Sequence, residues 1–263
     1  MDLKLQGKTA FVSGSSQGIG YAIAAALASE GVQVILNGRD PERLAAVVGR
    51  LRAEHPASNP TGLVADFASP EEVTRLIDAL GEIDILVNNV GLFGLSDFTA
   101  VSDEEWGRYF DVNVMSGVRL SRHVLTGMLQ RGSGRILFIS SESGVNVPAD
   151  MVHYGVTKAA MIALSNGLAK LTRGTAVTVN TILGGPTYSD GVAATVGVVA
   201  EAQSVSPDQM KQAIIGQSRT SLLERFIEPE EIAQLAAYLV SPRASATNGA
   251  AVRADGGVLT TIL

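Results

Sequence analysis

Tyr154 and Lys158 are the two side chains whose types and spacing point most directly to chemistry. Being four residues apart, they share one face of any helix that contains both. A free tyrosine has a pKa of ~10 and exchanges protons poorly near neutrality unless its phenolate is stabilised. The field of a nearby ammonium group lowers the pKa of the phenol and so provides that stabilisation. The pair therefore predicts a proton-transferring tyrosine, although the same spacing is also common on solvated helix faces.

A second cluster is the glycine-rich segment Ser13-Gly14-Ser15-Ser16-Gln17-Gly18-Ile19-Gly20, which follows an apolar run and opens a helical pattern. Glycines at such a turn let a pyrophosphate reach backbone N–H groups at a helix N-terminus, where the helix dipole favours anions. An ordinary strand-to-helix turn could have the same glycines. The spacing is G-x-x-x-G-x-G, which differs from the G-x-G-x-x-G of other dinucleotide folds.

The elements that must position these residues follow from alternating apolar runs and helical patterns. This alternation predicts parallel strands with right-handed helical crossovers, and hence one doubly wound α/β domain over residues 1–263. Residues 184–221, rich in Gly, Ser, Pro and Ala, follow the carboxyl end of a strand and predict an irregular substrate lid. The predicted strands are 9–12, 32–36, 61–64, 83–87, 135–139, 177–182 and 250–253, and the predicted helices are 19–29, 42–54, one from about 70 with Ser69 as N-cap, 104–129 and 154–171.

Composition argues against several other classes of protein. The net charge is −6, with charges of both signs interspersed, so we expect no nucleic-acid partner. The chain contains no cysteine, which excludes disulfides and thiolate metal sites, and we predict no metal centre. No segment approaches the ~18 apolar residues of a membrane helix, and the first residues lack a signal-peptide pattern. We therefore expect a cytoplasmic protein that does not engage membranes.

Together with Asn88-Asn89-Val90-Gly91, the glycine segment and the Tyr154-x-x-x-Lys158 pair resemble the short-chain dehydrogenase/reductase family in order and spacing. The resemblance extends from Gly7-Lys8 to Asp255-Gly256-Gly257. It implies a single Rossmann domain with a mainly parallel seven-stranded sheet. It also implies hydride transfer between a nicotinamide and a carbonyl or secondary-alcohol carbon.

The resemblance implies four catalytic residues, Asn113, Ser141, Tyr154 and Lys158. Ser141, thirteen residues before Tyr154, would hold the substrate oxygen, whereas the side chain of Ser140 should point to the other face of its strand. Asn113 would keep a water in line with Lys158, and Lys158 would also grip the nicotinamide ribose.

The same resemblance implies a set of cofactor contacts along the carboxyl edge of the sheet. Where NAD enzymes carry a carboxylate at the end of strand two, this chain has Gly38 followed by Arg39. A guanidinium matches phosphate geometry, which predicts NADP(H); NAD(H) stays open because Arg39 could instead pair with Asp40. The cofactor set is Gly14, Ser16, Gln17, Gly18, Ile19, Gly20, Arg39, Asp66, Phe67, Asn89, Val90, Gly91, Tyr154, Lys158, Gly185, Thr187 and Ser189.

Positions expected to face the substrate are mostly apolar and include no Arg or Lys, which favours a hydrophobic ketone. They are Ser141, Phe93, Val147, Met151, Tyr188 and Val192. The leading hypothesis is an NADP(H)-dependent carbonyl reductase or secondary-alcohol dehydrogenase. Glycine stands at position 184, where the family usually has proline, and this predicts a looser loop before the lid.

Two alternative functions and an oligomeric state are also predicted. A 3-oxoacyl-[acyl-carrier-protein] reductase would need a basic patch at the pocket mouth, for which Arg131 and Arg173 are candidates. A non-catalytic NADP-binding sensor or scaffold would show a broken catalytic set, whereas all four positions are filled here. The resemblance further implies a homotetramer, or a homodimer, formed through residues 104–129, 154–171 and 250–257.

Overall fold

A computed structural model describes residues 2–217 and 220–262. It contains one seven-stranded sheet in the order β3-β2-β1-β4-β5-β6-β7, in which every neighbouring pair is parallel. The predicted Rossmann-type architecture is therefore confirmed. The strands are β1 (Thr9–Val12), β2 (Gln33–Gly38), β3 (Thr61–Val64), β4 (Ile85–Asn88), β5 (Ser133–Ser141), β6 (Ala176–Gly184) and β7 (Ala251–Ala254).

Helices cover both faces of this sheet. Helices α1, α2 and α9 enclose one apolar core, and α3, α5 and α6 enclose another on the opposite face. The helices are α1 (Gly18–Ser29), α2 (Pro41–Glu54), α3 (Pro70–Ala79), α4 (Asp103–Tyr109), α5 (Ser116–Arg131), α6 (Val152–Leu171), α7 (Asp190–Ala202), α8 (Pro207–Gln217) and α9 (Pro229–Leu239).

The central strands show why the sequence has short apolar runs rather than alternating ones. Phe11 and Val12 are both fully buried, yet Phe11 packs into one core and Val12 into the other. Successive side chains of a strand point to opposite faces, so a strand that is covered on both faces needs apolar residues throughout. Ile85–Val87 of β4 follow the same rule.

Helix starts follow the capping signals in the sequence. The Asp40 carboxylate accepts hydrogen bonds from the N–H groups of Glu42 and Arg43 at the start of α2. The Ser69 hydroxyl accepts one from Glu72 N–H at the start of α3, which confirms the predicted N-cap. These caps fix where the chain turns back after β2 and β3.

The predicted helix over 104–129 is interrupted. The helix begins at Asp103, passes through a π-helical segment over Phe110–Met115, and continues as α5 to Arg131. A π-helical segment inserts one extra residue per turn and often marks a functional site. Hydrophobic periodicity does not reveal such an insertion, because the apolar stripe is only locally displaced.

The prediction that residues 184–221 are irregular is wrong over most of that segment. Gly184 still belongs to β6, and helices α7 and α8 occupy much of the remainder; residues 218 and 219 lie outside the described residues. Val196, Ala200 and Met210 form a small apolar core between the two helices. Glycines inside this segment weaken its helical signal, and tertiary packing overrides them.

In the part of the chain that the structure describes, no helix combines the length and the apolar character needed to span a bilayer.

Candidate active site

The glycine turn lies between β1 and α1, at the carboxyl edge of the sheet. Gly14 and Gly18 have φ angles of +61° and +57°, which side chains rarely adopt. Gly20 is excluded from substitution for a different reason: a Cβ there would lie 2.5 Å from the Asn89 Nδ2 and would also meet the Gly14 carbonyl oxygen. The three glycines therefore let the turn lie against the loop that follows β4.

Buried polar side chains that were not singled out from the sequence hold this turn in place. The Asn37 Oδ1 accepts a hydrogen bond from Gly14 N–H at 2.9 Å. The Ser13 hydroxyl accepts from the backbone N–H groups of Asn89 and Val90. The only sequence signal for Asn37 and Ser13 was a polar residue at the end of an apolar strand.

Beside the glycine turn is a cavity of about 410 Å³. Most of the predicted cofactor contacts line it, and Asn37, Gly38, Leu92, Arg108 and Val112 are among the other lining residues. The predicted contacts that do so are Gly14, Ser16, Gln17, Gly18, Ile19, Gly20, Arg39, Asp66, Phe67, Asn89, Val90, Gly91 and Ser189, together with the predicted substrate contact Phe93.

An anionic oxygen already occupies a hydrogen-bonding position at this turn. The Asp190 carboxylate, on the first residue of α7, accepts from Gly18 N–H at 2.6 Å. Because this N–H lies at the N-terminus of α1, the helix dipole favours a negative group there. The carboxylate shows that the turn accepts an anion, as a cofactor pyrophosphate would require.

Two guanidinium groups follow the end of β2, near the cavity. A Cβ at Gly38 would lie 3.0 Å from the Ser16 Cβ, so the strand end approaches the glycine turn closely. Arg39 follows it and lines the cavity. Arg43, one turn into α2 and not singled out from the sequence, donates to the Gln17 Oε1 at 2.7 Å. Both cations therefore flank the same corner.

Lys158 is buried at the centre of the carboxyl edge. Its Nζ donates to the Ile139 carbonyl oxygen at 3.0 Å and lies 5.5 Å from the centroid of the Tyr154 ring. A Cβ at Gly91 would lie 3.5 Å from the same Nζ, which places the ammonium beside the loop after β4. Burial lowers the pKa of Lys158 to about 8, and the Glu142 carboxylate opposes that change.

The pKa of Tyr154 differs from the expectation drawn from the sequence. We expected its pKa to be lowered, but burial raises it above the ordinary value, and this outweighs the lowering by a hydrogen bond with Ser141. The charge of Glu142 raises it further. Tyr154 is consequently a neutral phenol at neutral pH, with its proton available to donate.

Asn113 occupies the π-helical segment and is fully buried. Its Oδ1 accepts from Leu92 N–H at 2.6 Å, and its Nδ2 donates to the Leu92 carbonyl oxygen and to the Thr157 hydroxyl. Its side chain therefore ties the loop after β4 to α6, the helix that carries Tyr154 and Lys158.

The two serines at the end of β5 face different ways. The Ser140 hydroxyl donates to the Lys158 backbone carbonyl at 2.9 Å. The Ser141 hydroxyl instead donates to the carboxylate of Glu142 and accepts from Ser143 N–H. Glu142 was not singled out from the sequence, although a carboxylate directly after the predicted catalytic serine was visible there.

The predicted cofactor contacts in the loop after β6 lie in different environments. Ser189 lines the cavity, whereas the Thr187 hydroxyl donates to the Gly185 carbonyl oxygen at 2.9 Å within its own loop. A Cβ at Gly185 would lie 2.6 Å from the Asp255 carbonyl oxygen, so this glycine is required by packing near β7.

The predicted substrate contacts fall into two groups. Phe93 and Val147 expose apolar surface, with Phe93 beside Gly191 and Val147 against Gly155 of α6. Met151 immediately precedes α6 and is partly buried. By contrast, Tyr188 and Val192 pack against the small core of α7 and α8.

The cavity also contains a guanidinium group that was not singled out from the sequence. Arg108 of α4 lines the cavity, paired with Glu105 at 3.0 Å. Because most of the predicted cofactor contacts line this cavity, Arg108 does not test the expectation that the substrate positions lack Arg and Lys, and that expectation stays a prediction.

Comparison with curated proteins and with solved structures identifies relatives over all or nearly all of the chain. A relative of known structure is L-sorbose reductase from Gluconobacter frateurii, complexed with NADPH and L-sorbose, with a TM-score of 0.94, 32% identity and 100% coverage of both chains. The uncharacterized oxidoreductase YvaG of Bacillus subtilis is 41% identical over 263 residues, with 100% of each chain covered. The 3-oxoacyl-[acyl-carrier-protein] reductase FabG of Vibrio cholerae is 31% identical, with 97% of this chain and 99% of that one covered.

The family model described as short chain dehydrogenase matches residues 8–196, which include the glycine turn and the Tyr154–Lys158 pair. The chain therefore belongs to the short-chain dehydrogenase/reductase family, oxidoreductases that act on CH–OH or C=O groups with a nicotinamide cofactor.

Proposed function

We propose that this protein is an NADP(H)-dependent carbonyl reductase, or secondary-alcohol dehydrogenase, in which Tyr154 exchanges the proton at the substrate oxygen. The observation that carries the proposal is the buried Lys158 ammonium, held by the Ile139 carbonyl oxygen beside the Tyr154 ring. The ion pairs among the described residues do not include Lys158, and a buried ammonium without such a pair is costly and therefore typical of a functional site.

The roles of the side chains follow from their protonation. A bound nicotinamide supplies or accepts the hydride in this family. Tyr154 has a raised pKa, so its phenol keeps its proton at neutral pH and can give it to a developing alkoxide. Lys158, with a pKa of about 8, is largely charged at neutral pH and would stabilise the phenolate that remains. Ser141 and Asn113 would orient the substrate oxygen and the lysine.

Replacing the phenol tests this assignment. Tyr154→Phe removes the exchangeable proton but keeps the ring, so turnover should fall by roughly 10²–10⁴-fold, the usual contribution of a general acid. The variant should still bind NADPH, as measured by the change in NADPH fluorescence on binding. Turnover within tenfold of the wild-type rate would refute the role of Tyr154.

For the cofactor, the proposal is NADP(H) rather than NAD(H). It is supported by the absence of a carboxylate at Gly38, by Arg39 and Arg43 at the same corner, and by the NADPH complex of the sorbose reductase relative. Guanidinium groups bind phosphate through parallel hydrogen bonds, whereas NADH offers only hydroxyls at that position.

Arg39→Ala and Arg43→Ala separate the two cofactors. Each substitution should weaken NADPH binding by roughly tenfold, consistent with a charge-assisted hydrogen bond, and should change NADH binding little. Titration of each variant with both cofactors gives the dissociation constants. An equal loss for NADPH and NADH would argue against a 2′-phosphate site at this corner.

For the substrate, the proposal is a hydrophobic ketone, supported by the exposed apolar side chains of Phe93 and Val147. A 3-oxoacyl-[acyl-carrier-protein] reductase is the second candidate, because the Vibrio cholerae relative carries that name. The basic patch that this role needs is not formed by Arg131 and Arg173. Arg131 donates to the Ile83 carbonyl oxygen before β4, and Arg173 lies just before β6, so both are at the amino edge of the sheet.

NADPH oxidation with a panel of aryl ketones, diketones, a 3-oxoacyl thioester and a ketose separates these candidates. We expect the highest kcat/KM for an aryl ketone or diketone. A preference for the thioester would favour the second candidate, and a preference for the ketose would overturn the hydrophobic assignment.

We further propose that the protein assembles as a homotetramer or a homodimer. Phe98, Phe110 and Val156 leave apolar surface exposed around α4 and α6, and β7 is an edge strand. Burying such surface between copies would be favourable. Light scattering coupled to size-exclusion chromatography should give two or four times the 27.4 kDa of one chain, and a monomeric mass would contradict this proposal.

A further inference from the structure

A buried asparagine near the end of β2 lies where the sheet gives way to the glycine turn. Asn37 is 1% exposed and belongs to the lining of the cavity. The pairing of β1 with β2 ends at Val12 and Leu36, so Asn37 is the first residue of β2 with the turn beside it instead of a strand. Its backbone carbonyl oxygen accepts from Ser15 N–H at 2.8 Å, and its backbone N–H donates to the Ser15 hydroxyl at 2.9 Å. The turn therefore continues the pairing of β2 after β1 has ended.

The side-chain amide of Asn37 connects this turn to a second segment. Its Oδ1 accepts from Gly14 N–H at 2.9 Å, on the turn. Its Nδ2 donates to the carbonyl oxygens of Leu63 at 3.1 Å and Ala65 at 3.4 Å, at the end of β3. Because an N–H needs an acceptor and a carbonyl needs a donor, these partners fix the orientation of the amide. One side chain thus holds the glycine turn and the end of β3 together.

The two connected segments are predicted to contact different parts of one cofactor. Gly14 belongs to the turn expected beside the pyrophosphate, and Ala65 directly precedes Asp66 and Phe67, which are expected beside the adenine. All four residues line the same cavity. A ligand that spans two subsites binds more tightly when the spacing between them is set before it arrives. The amide of Asn37 lies where it can set that spacing.

No other short side chain meets the same demands. A carboxylate of equal size has no hydrogen to donate to Leu63 and Ala65, and a hydroxyl has a single proton and a shorter reach. Glutamine keeps the amide, but its extra methylene has to fit into a site that is almost fully buried. The position therefore requires one acceptor and two donor hydrogens on a short stem, which is the description of asparagine.

We propose that Asn37 is a positioning residue that fixes the distance between the pyrophosphate-binding turn and the adenine-binding end of β3, and so sets the affinity for the whole cofactor. The inference deepens the proposed function and rests on its cofactor site. Asn37 acts through the two segments that it joins. A purely structural role would lower stability and leave the relative affinities of the cofactor and its fragments unchanged.

Binding of a whole cofactor and of a fragment to Asn37→Ala separates these two roles. NADP⁺ spans both segments, whereas adenosine 2′-monophosphate reaches only the adenine end of the site. We expect Asn37→Ala to weaken NADP⁺ binding by roughly 10–100-fold, the range that follows from leaving a buried partner unsatisfied, and fragment binding by less than about threefold. Calorimetry measures the affinity for NADP⁺, and NMR titration measures the weaker affinity for the fragment.

Asn180→Ala provides the comparison for a loss of stability alone. Asn180 is also 1% exposed, and its amide likewise joins two backbone groups: Nδ2 donates to the Thr247 carbonyl oxygen at 2.8 Å, and Oδ1 accepts from Ala250 N–H at 3.1 Å. Among the described residues, those that line the cavity do not include Asn180. Asn180→Ala should be destabilised in urea as Asn37→Ala is, but should bind NADP⁺ within about twofold of the wild type.

A milder variant and a structural readout complete the test. Asn37→Ser has a hydroxyl that can reach at most one of the two segments, so its NADP⁺ affinity should fall nearly as far, which preserves the test if Asn37→Ala does not fold. Peptide-resolved amide hydrogen exchange should become faster in both residues 13–20 and residues 61–67 of the Asn37 variants. In Asn180→Ala, both segments should exchange at wild-type rates.

The inference is overturned if the affinities for NADP⁺ and the fragment fall equally in the Asn37 variants, or if neither falls. An equal loss of NADP⁺ affinity in Asn180→Ala would also overturn it. A wild type that prefers NAD⁺ would contradict the proposed cofactor, and the same comparison with NAD⁺ and adenosine would then decide the role of Asn37. A wild type that reduces no ketone, yet shows the expected loss of NADP⁺ affinity in the Asn37 variants, would overturn the proposed reaction and leave this role intact.

Discussion

The glycine turn and the segment that carries α7 and α8 lie on the same cavity but are built in opposite ways. The turn is fixed by buried polar side chains, by the positive φ angles of Gly14 and Gly18, and by Gly20, which leaves no space for a Cβ. The α7–α8 segment has only a small apolar core of its own, and Gly197 and Gly216 have open space around them. The difference predicts a fixed nucleotide-binding surface and an adaptable cover.

The contrast between the two regions predicts that, among the substitutions considered, Gly20→Ala has the largest effect on stability. Alanine is the better helix former by about 1 kcal/mol, so Gly20→Ala would stabilise an isolated α1. A Cβ at this position, however, meets the Gly14 carbonyl oxygen and would lie 2.9 Å from the Ser15 Cα, and backbone atoms cannot move aside cheaply. We expect a loss of roughly 2–4 kcal/mol in the free energy of unfolding, within the range of overpacked core substitutions.

Urea denaturation measures this loss, and fluorescence titration should show that NADPH binding is strongly weakened. Gly49→Ala is a matched control, because Gly49 lies inside α2 with nothing within 4 Å of its Cβ position. If Gly20→Ala were as stable as Gly49→Ala, the turn would be more adaptable than the structure indicates.

The two regions also differ in how well the sequence predicted them. The turn, the strands and Ser69 were predicted because glycine spacing, short apolar runs and cap residues are local signals. Asn37 and Glu142 were missed because their partners are distant in sequence or depend on a strand ending at a particular residue. Arg108 was missed because only the tertiary fold brings α4 beside the cavity, and no local sequence pattern encodes that approach.

The lid was mispredicted for a related physical reason. Single glycines lower helix propensity, so α7 and α8 are weak helices when judged by local sequence. Contacts between Val196, Ala200 and Met210 stabilise them, and such contacts exist only once both helices have formed. The role of residues 184–221 as a substrate lid therefore stays a prediction that depends on how the segment moves.

The two regions meet at the hydrogen bond from Gly18 N–H to Asp190. A substitution there should have a smaller effect, on the affinity for the cofactor. A cofactor pyrophosphate would compete with this carboxylate for the same N–H and would be repelled by its charge. Asp190→Asn weakens both effects, so we expect NADPH to bind roughly three- to tenfold more tightly, the value of a partly screened charge contact.

The affinity is measured by fluorescence titration at low and high salt, and the gain should shrink at high salt because screening reduces the repulsion. Glu201→Gln removes the same charge from the other end of α7 and should change affinity little. Weaker binding in Asp190→Asn would mean that the Asp190 contact holds the lid in its cofactor-binding position instead.

The smallest effect is expected at Gly197, in the middle of α7. A Cβ there meets nothing within 4 Å, so Gly197→Ala should gain helix propensity without a clash, which is worth up to about 1 kcal/mol. If the α7–α8 segment opens separately from the sheet, this gain stabilises only that local unit. Amide hydrogen exchange in α7 should then slow by up to about fivefold, while the Tm of the whole protein stays unchanged. A rise in Tm together with slower exchange throughout β1 and α1 would show instead that lid and turn unfold as one unit, and the contrast between a fixed surface and an adaptable cover would fail.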